Sequence, residues 1–217
     1  SAWSKNISIP LDAYVRFLDN VKEFVAYYSV LDVIGSAEET KINFIKMRKK
    51  ALNPLPCFHY GDDTKYLKDY ALNHEYIALG GMVPISSERL DKWLETIFHE
   101  FSDTKFHGFG MTSPDLITKF PWYSVDSTSW KCGEKYARVM TPFGAIGFGN
   151  NREYIGEGIK EKIDEYFRNE TGFSYDDLLS SWKNRTMANS LFFLSLEKNN
   201  QYDSKNVFVK EQLELFG

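Results

Sequence analysis

The sequence has only two cysteines in 217 residues, Cys57 and Cys132, 75 positions apart. With no Cys-x-x-Cys pair and no His-rich companion, they exclude a disulfide framework and a zinc knuckle. They read as reduced thiols, which points to a cytoplasmic protein. No apolar run approaches the roughly 18 residues that mark a membrane span, so no membrane partner is expected. An excess of basic charge is missing as well. The 26 Lys and Arg are outnumbered by 30 Asp and Glu, a formal net charge of −4. Such a surface does not gather nucleic acid by bulk attraction, so recognition of DNA or RNA would need a local patch. The densest basic run, Lys46-Met47-Arg48-Lys49-Lys50, reads as the solvated face of a helix. There is no Walker loop and no Gly-x-Gly-x-x-Gly; Gly144-Ala145-Ile146-Gly147-Phe148-Gly149 has the wrong order for either. Ser127 and Ser129 lack the Gly-x-Ser-x-Gly elbow of serine hydrolases. Neither a His-x-His nor a His-Glu-x-x-His pair is present, which leaves only a weak metal signal.

What is present argues for a folded α/β protein. Hydrophobic residues make up 43% and charged residues 26%, which excludes a disordered chain. Aromatic residues reach 16%, enough to fill a core. Asp12 to Asn20 predicts a short amphipathic helix, and Phe24 to Leu31 a buried parallel strand ending at Asp32. Ser36, three residues before Glu39, predicts a capping box opening the next helix. Leu55 to Gly61 reads as a strand and its exit loop, followed by a helix through Tyr66, Leu67 and Tyr70. Tyr76-Ile77-Ala78-Leu79 is the next strand, closing on Gly80-Gly81. After Ser87, the residues Leu90, Trp93, Leu94, Ile97, Phe98 and Phe101 form one helical stripe. Lys105 to Gly110 predicts another strand, Ser113-Pro114 a short helix, and Tyr123 to Asp126 a further strand end. Five successive β-then-α units imply a parallel sheet. Beyond them come an irregular hairpin over 138–148 and helices over 155–167 and 178–196, then a polar hinge and a peripheral terminal element. The expected division is a barrel-like α/β core over 1–170 and a C-terminal helical extension over 171–217.

The strand ends carry the functional signal. They are Asp32, His59, Gly80-Gly81, His107-Gly108 and Asp126-Ser127-Thr128. Ligands of parallel α/β proteins bind at the carboxyl edge of the sheet, where such residues converge. Two chemistries fit them. In one, carboxylates act as nucleophile and base beside a glycine-backed slot for a planar ligand. In the other, His59, His107 and Asp126 hold a divalent metal that activates water, as in a metal-dependent hydrolase. Each residue also has a bland reading: a loop cap, a hydrogen-bonded structural histidine, a tight turn.

Three strings carry a family resemblance. Ala78-Leu79-Gly80-Gly81-Met82-Val83, His107-Gly108-Phe109-Gly110-Met111-Thr112-Ser113 and Ser124-Val125-Asp126-Ser127-Thr128-Ser129-Trp130 resemble the tRNA-guanine transglycosylase superfamily. The nearest branch is the phage and bacterial one that includes DNA transglycosylases inserting deazapurines. The resemblance covers roughly residues 1 to 130. It implies a (β/α)8 TIM-barrel fold that exchanges guanine in DNA or tRNA for a 7-deazaguanine through a covalent glycosyl-enzyme. At 217 residues the chain is shorter than the roughly 250 of a complete barrel. Ser1-Ala2-Trp3 resembles the residues just after the family's Asp-Ser-Gly-Gly-Phe-like strand end, so the first βα unit and the second catalytic aspartate are expected to be missing. By the same resemblance Asp126 is the nucleophile, and Asp32 hydrogen-bonds the base. Gly80 and Gly81 face the base, and His59 stands in place of a glutamine. His107, Ser127 and Trp130 join the substrate-binding set, with Tyr60, Phe109 and Trp130 as candidate aromatic walls and Trp130 equally readable as core. The family's Cys-rich zinc site has no counterpart, so no cofactor is expected. A homodimer and a monomer both remain open, as does a non-catalytic base-binding protein.

Overall fold

The computed structural model describes residues 9–149 and 157–199. The expected N-terminal opening, the hinge after Asn199 and the terminal element lie outside them. The described residues form a mixed α/β structure around a four-stranded parallel sheet. Its strands are β1 (Cys57–His59), β2 (Tyr76–Gly80), β3 (Lys105–Gly108) and β4 (Ser124–Val125). They lie side by side in chain order, with no reversal. The helices α1 (Leu11–Val21), α2 (Ala37–Lys49), α3 (Thr64–Ala71) and α4 (Ser87–Glu100) precede or separate the first three strands. No described helix is long and apolar enough to cross a membrane.

Local chemistry sets these boundaries. Ser36 accepts a hydrogen bond from the Glu39 amide and starts α2. Asp63 does the same for Lys65 at the start of α3. The cations of the basic run are exposed at the carboxyl end of α2, where they complement the helix dipole. Of the stripe predicted for α4, Leu90, Leu94, Ile97 and Phe98 are buried.

The strand expected over 24–31 does not form. Lys22–Phe24 is a 3-10 turn, and Phe24 is 86% exposed. Only a single parallel bridge joins Ser29 to Leu55. The Leu55 amide donates to the Tyr28 carbonyl at 2.8 Å, and the Val30 amide to the Leu55 carbonyl at 2.9 Å. Leu55 spends both its backbone groups on this bridge, so Pro54 and Pro56 face the other way, the Pro56 carbonyl accepting from the Ala78 amide at 2.9 Å. The next amide on the Tyr28 side, that of Asn53, donates instead to the Tyr28 hydroxyl at 2.7 Å.

The chain divides into two compact units. The first runs to Met111 and includes Trp122–Val125; the second comprises Thr112–Pro121 and the residues from Asp126. The second unit contains α5 (Pro114–Lys119), a 3-10 turn at Ser129–Lys131 and α6 (Cys132–Lys135). The predicted hairpin follows, as the antiparallel strands β5 (Arg138–Thr141) and β6 (Gly144–Gly147). Then come α7 (Glu157–Thr171), α8 (Tyr175–Ser180) and α9 (Trp182–Asn199). The single helix expected over 178–196 is interrupted at Ser181, which is extended and whose hydroxyl accepts from the Asn184 amide to start α9. Arg185 donates to the Leu178 carbonyl at 2.6 Å, satisfying a group that the end of α8 leaves open.

A buried polar side chain organises this unit. Asn189 on α9 is fully buried. Its Oδ1 accepts from the Met140 amide at 2.7 Å, while its Nδ2 donates to the Arg138 carbonyl at 3.0 Å and to Cys132 Sγ at 3.2 Å. One amide thus holds β5 and α6 against α9. Asn189→Ala orphans the Met140 amide, at about 1–3 kcal/mol, and leaves the Arg138 carbonyl with only the Cys132 thiol, 3.4 Å away, as donor. The expected result is a lower urea midpoint for the second unit, measured by the loss of its hairpin and helix signals.

Candidate functional site

The two faces of the parallel sheet differ in chemistry because side chains alternate along each strand. Phe58, Ile77, Leu79 and Phe106 occupy one face and are inaccessible to solvent. Trp93 and Phe98 of α4 cover Phe58 and Phe106 there, with ring centroids 6.2 Å and 5.2 Å apart. The opposite face carries Cys57, His59, Tyr76, Ala78, Gly80, His107 and Ser124, as the pairing register requires. Two polar groups sit on it.

The first centres on His59, at the end of β1. Its imidazole is 3% exposed, and its Nε2 lies 2.8 Å from Asp32 Oδ2. A carboxylate only accepts hydrogen bonds, so Nε2–H is the donor. Cys57 Sγ is 3.5 Å from the same nitrogen. Asp62 Oδ2 accepts from the His59 backbone amide at 3.0 Å, and stands 3.5 Å from Nδ1, which is buried without a hydrogen bond. Burial pushes the Cys57 thiol well above its ordinary pKa, and the Asp32 and Asp62 carboxylates add to the effect. Asp32 itself is held from both sides by α2. The Val33 amide donates to Thr40 Oγ1 and Asn43 donates to the Leu31 carbonyl, each at 2.9 Å.

Glycine makes this arrangement possible. A Cβ on Gly80 would stand 2.8 Å from His59 Cδ2 and 3.2 Å from Nε2. Gly81 has φ +70°, and a Cβ there would lie 3.1 Å from His59 Cβ. The pair expected to face a base therefore also makes room for the histidine.

The second group is a chain of hydrogen bonds. His107 Nδ1 lies 2.6 Å from Ser124 Oγ, which lies 2.6 Å from Tyr76 OH. The Phe109 ring meets His107 edge-on at 4.7 Å. Tyr60 turns to Trp93, with centroids 5.3 Å apart.

No family model, curated protein or solved structure matches this chain. The site is therefore read from its own geometry. Asp32, His59, Gly80 and Gly81 come together, while His107 sits on a neighbouring strand with different partners. Asp126 follows β4 directly in the chain and belongs to the second compact unit, as do Ser127 and Trp130. Ser127 Oγ accepts from the Ser129 amide at 2.9 Å. Trp130 is 38% exposed, so it is not a core residue, and Lys131 Nζ lies 4.9 Å from its ring centre. The described residues hold one cluster of three metal-ligating groups, Asp32, Cys57 and His59, of which His107 is not a member.

Sequence reasoning passed over Cys57, Asp62, Tyr76 and Ser124. The i, i+2 spacing of Cys57 and His59 in a strand was the available signal, since it puts both on one face. Gly80→Ala is expected to displace the His59 ring from Asp32 and to destabilise the first unit by about 1–3 kcal/mol. The His59 imidazole resonances report the displacement. Gly147→Ala, where a Cβ meets nothing within 4 Å, should leave them unchanged.

Proposed function

We propose that this chain carries the base-recognition core of a base-exchanging glycosyltransferase, which replaces guanine in DNA or tRNA with a 7-deazaguanine. The observation that carries the reading is the Asp32–His59 hydrogen bond, formed across 27 residues over the Gly80-Gly81 turn. It joins three of the positions that the transglycosylase resemblance assigns to the base. The unreversed order of the parallel strands supports a singly wound barrel, since doubly wound sheets reverse at a switch point.

In this mechanism an Asp126 carboxylate oxygen attacks the sugar C1′. The glycosidic bond to guanine breaks as the ester bond to C1′ forms, and the departing base takes the electron pair and a proton from water. The incoming 7-deazaguanine gives its ring-nitrogen proton to water, attacks C1′ with that nitrogen and releases the carboxylate. Negative charge suits the oxocarbenium-like character that C1′ develops. Asp32 has one oxygen engaged by His59 and is about one-third exposed (32%), so it can still accept N–H donors from a guanine-type edge. His59 acts through Asp32, as a positioning residue: its ring is buried and its Nε2 is already committed.

Asp126→Asn is expected to lower base exchange on the order of 10³-fold or more and to abolish covalent trapping of the nucleic acid. Label exchange between free guanine and DNA or tRNA measures the first, and denaturing electrophoresis the second. Retention of both activities would overturn the mechanism.

A further inference from the structure

The cluster at the end of β1 has donor chemistry that base recognition does not use. Cys57 is buried beside His59, and nothing in base exchange calls for a thiol there. Its Sγ, His59 Nε2 and a carboxylate oxygen of Asp32 all lie within 4.8 Å of one another. Those atoms offer one sulfur, one nitrogen and one oxygen, a set that suits zinc-class ions and not magnesium or calcium, which prefer oxygen throughout.

The distances fit as well. In a tetrahedral site, Zn–S of about 2.3 Å and Zn–N of about 2.0–2.1 Å put sulfur and nitrogen roughly 3.5 Å apart. Cys57 Sγ and His59 Nε2 are separated by 3.5 Å. The same geometry needs about 3.3 Å between nitrogen and carboxylate oxygen. Asp32 Oδ2 is at 2.8 Å, so an ion would replace the shared proton and part the two by about half an ångström. Groups around the histidine suit the same role. The ring of His59 is fixed by its backbone bond to Asp62 and by the close approach of Gly80. A ligating histidine typically directs its other nitrogen to a carboxylate, and Asp62 stands 3.5 Å from the buried Nδ1 that otherwise has no hydrogen-bond partner.

We propose that Asp32, Cys57 and His59 form a binding site for a divalent transition ion of the zinc class, with a fourth position open on the exposed side of Asp32. The site goes beyond the base-exchange reading and does not rest on it. Because Asp32 serves both, a bound ion and a bound base exclude each other.

Cobalt(II) titration of the full chain tests the site directly, with a readout separate from base exchange. The expected result is one ion per chain, with the intense visible bands of tetrahedral cobalt and a near-ultraviolet thiolate-to-cobalt charge-transfer band. Cys57→Ser should abolish the charge-transfer band, and Cys132→Ser should retain it. Asp32→Asn and His59→Gln should each weaken cobalt binding at least about tenfold. Asp32→Asn changes a partly exposed side chain, so it keeps the test decisive if a variant of buried Cys57 or His59 fails to fold. Absence of the band, its persistence in Cys57→Ser, or unchanged affinity in Asp32→Asn would overturn the proposal. Loss of base exchange on Asp126→Asn bears on the catalytic reading alone.

Discussion

The alternation of side chains across the parallel sheet is the constraint from which the site follows. Phe58, Ile77, Leu79 and Phe106 face the helices, where they are wholly out of water and Trp93 and Phe98 cover two of them. Once they do, the period of two sends Cys57, His59, Tyr76, His107 and Ser124 to the other face, with no further choice of register. A slip of one residue would put the histidines under α4 and the phenylalanines where the polar groups now lie. The hydrophobic requirement therefore places the polar chemistry, although no polar contact takes part in the selection.

Much of this was legible in the sequence because it depends on local signals. The strands β1 to β4 announced themselves as short apolar runs bounded by glycine or charge, and α4 by an unbroken stripe. The failure over 24–31 shows the limit of that reasoning. An apolar, β-rich run describes one strand, but a ladder needs a partner that can donate and accept on both sides. Asn53 lies 25 residues downstream of Tyr28, and the capture of its amide by the Tyr28 hydroxyl appears only when the two segments are laid together. The break at Ser181 was missed for a related reason. A serine within a helical pattern reads as a tolerated polar residue until its hydroxyl is seen to cap the helix that follows.

The candidate site was legible as a set of positions and not as a set of partners. Asp32, His59 and Gly80-Gly81 were picked out by periodic punctuation, and they do meet, although no strand leads into Asp32. What periodicity could not supply was the direction of each side chain. His59 turns onto Asp32, whereas His107 turns onto Ser124, so two residues that look equivalent in sequence belong to different hydrogen-bond groups. Thr40 and Asn43, which hold the backbone on either side of Asp32, gave no signal at all. They sit in a helix interior, where a polar residue ordinarily faces solvent.

The polar face is hard to explain as a device for stability. A parallel sheet of this kind is normally covered on both faces by apolar side chains. Here an imidazole is taken out of water with one nitrogen unpartnered, next to a thiol and between two carboxylates. Each of these groups gives up hydration, and only some of that loss is returned as hydrogen bonds. Val or Leu at 57 and 59 would fill the same space without the desolvation penalty, and Gly80 would then have no ring to accommodate. The unfavourable choices are also mutually dependent. Gly80 is needed only because His59 lies across it, and His59 keeps its angle only because Asp32 and Asp62 hold it. Departures from local preference that support one another in this way are what a site kept for binding is expected to show. Both the base-edge reading and the metal reading draw on that same arrangement, and they differ only in whether Asp32 presents its acceptor to an N–H group or to a cation.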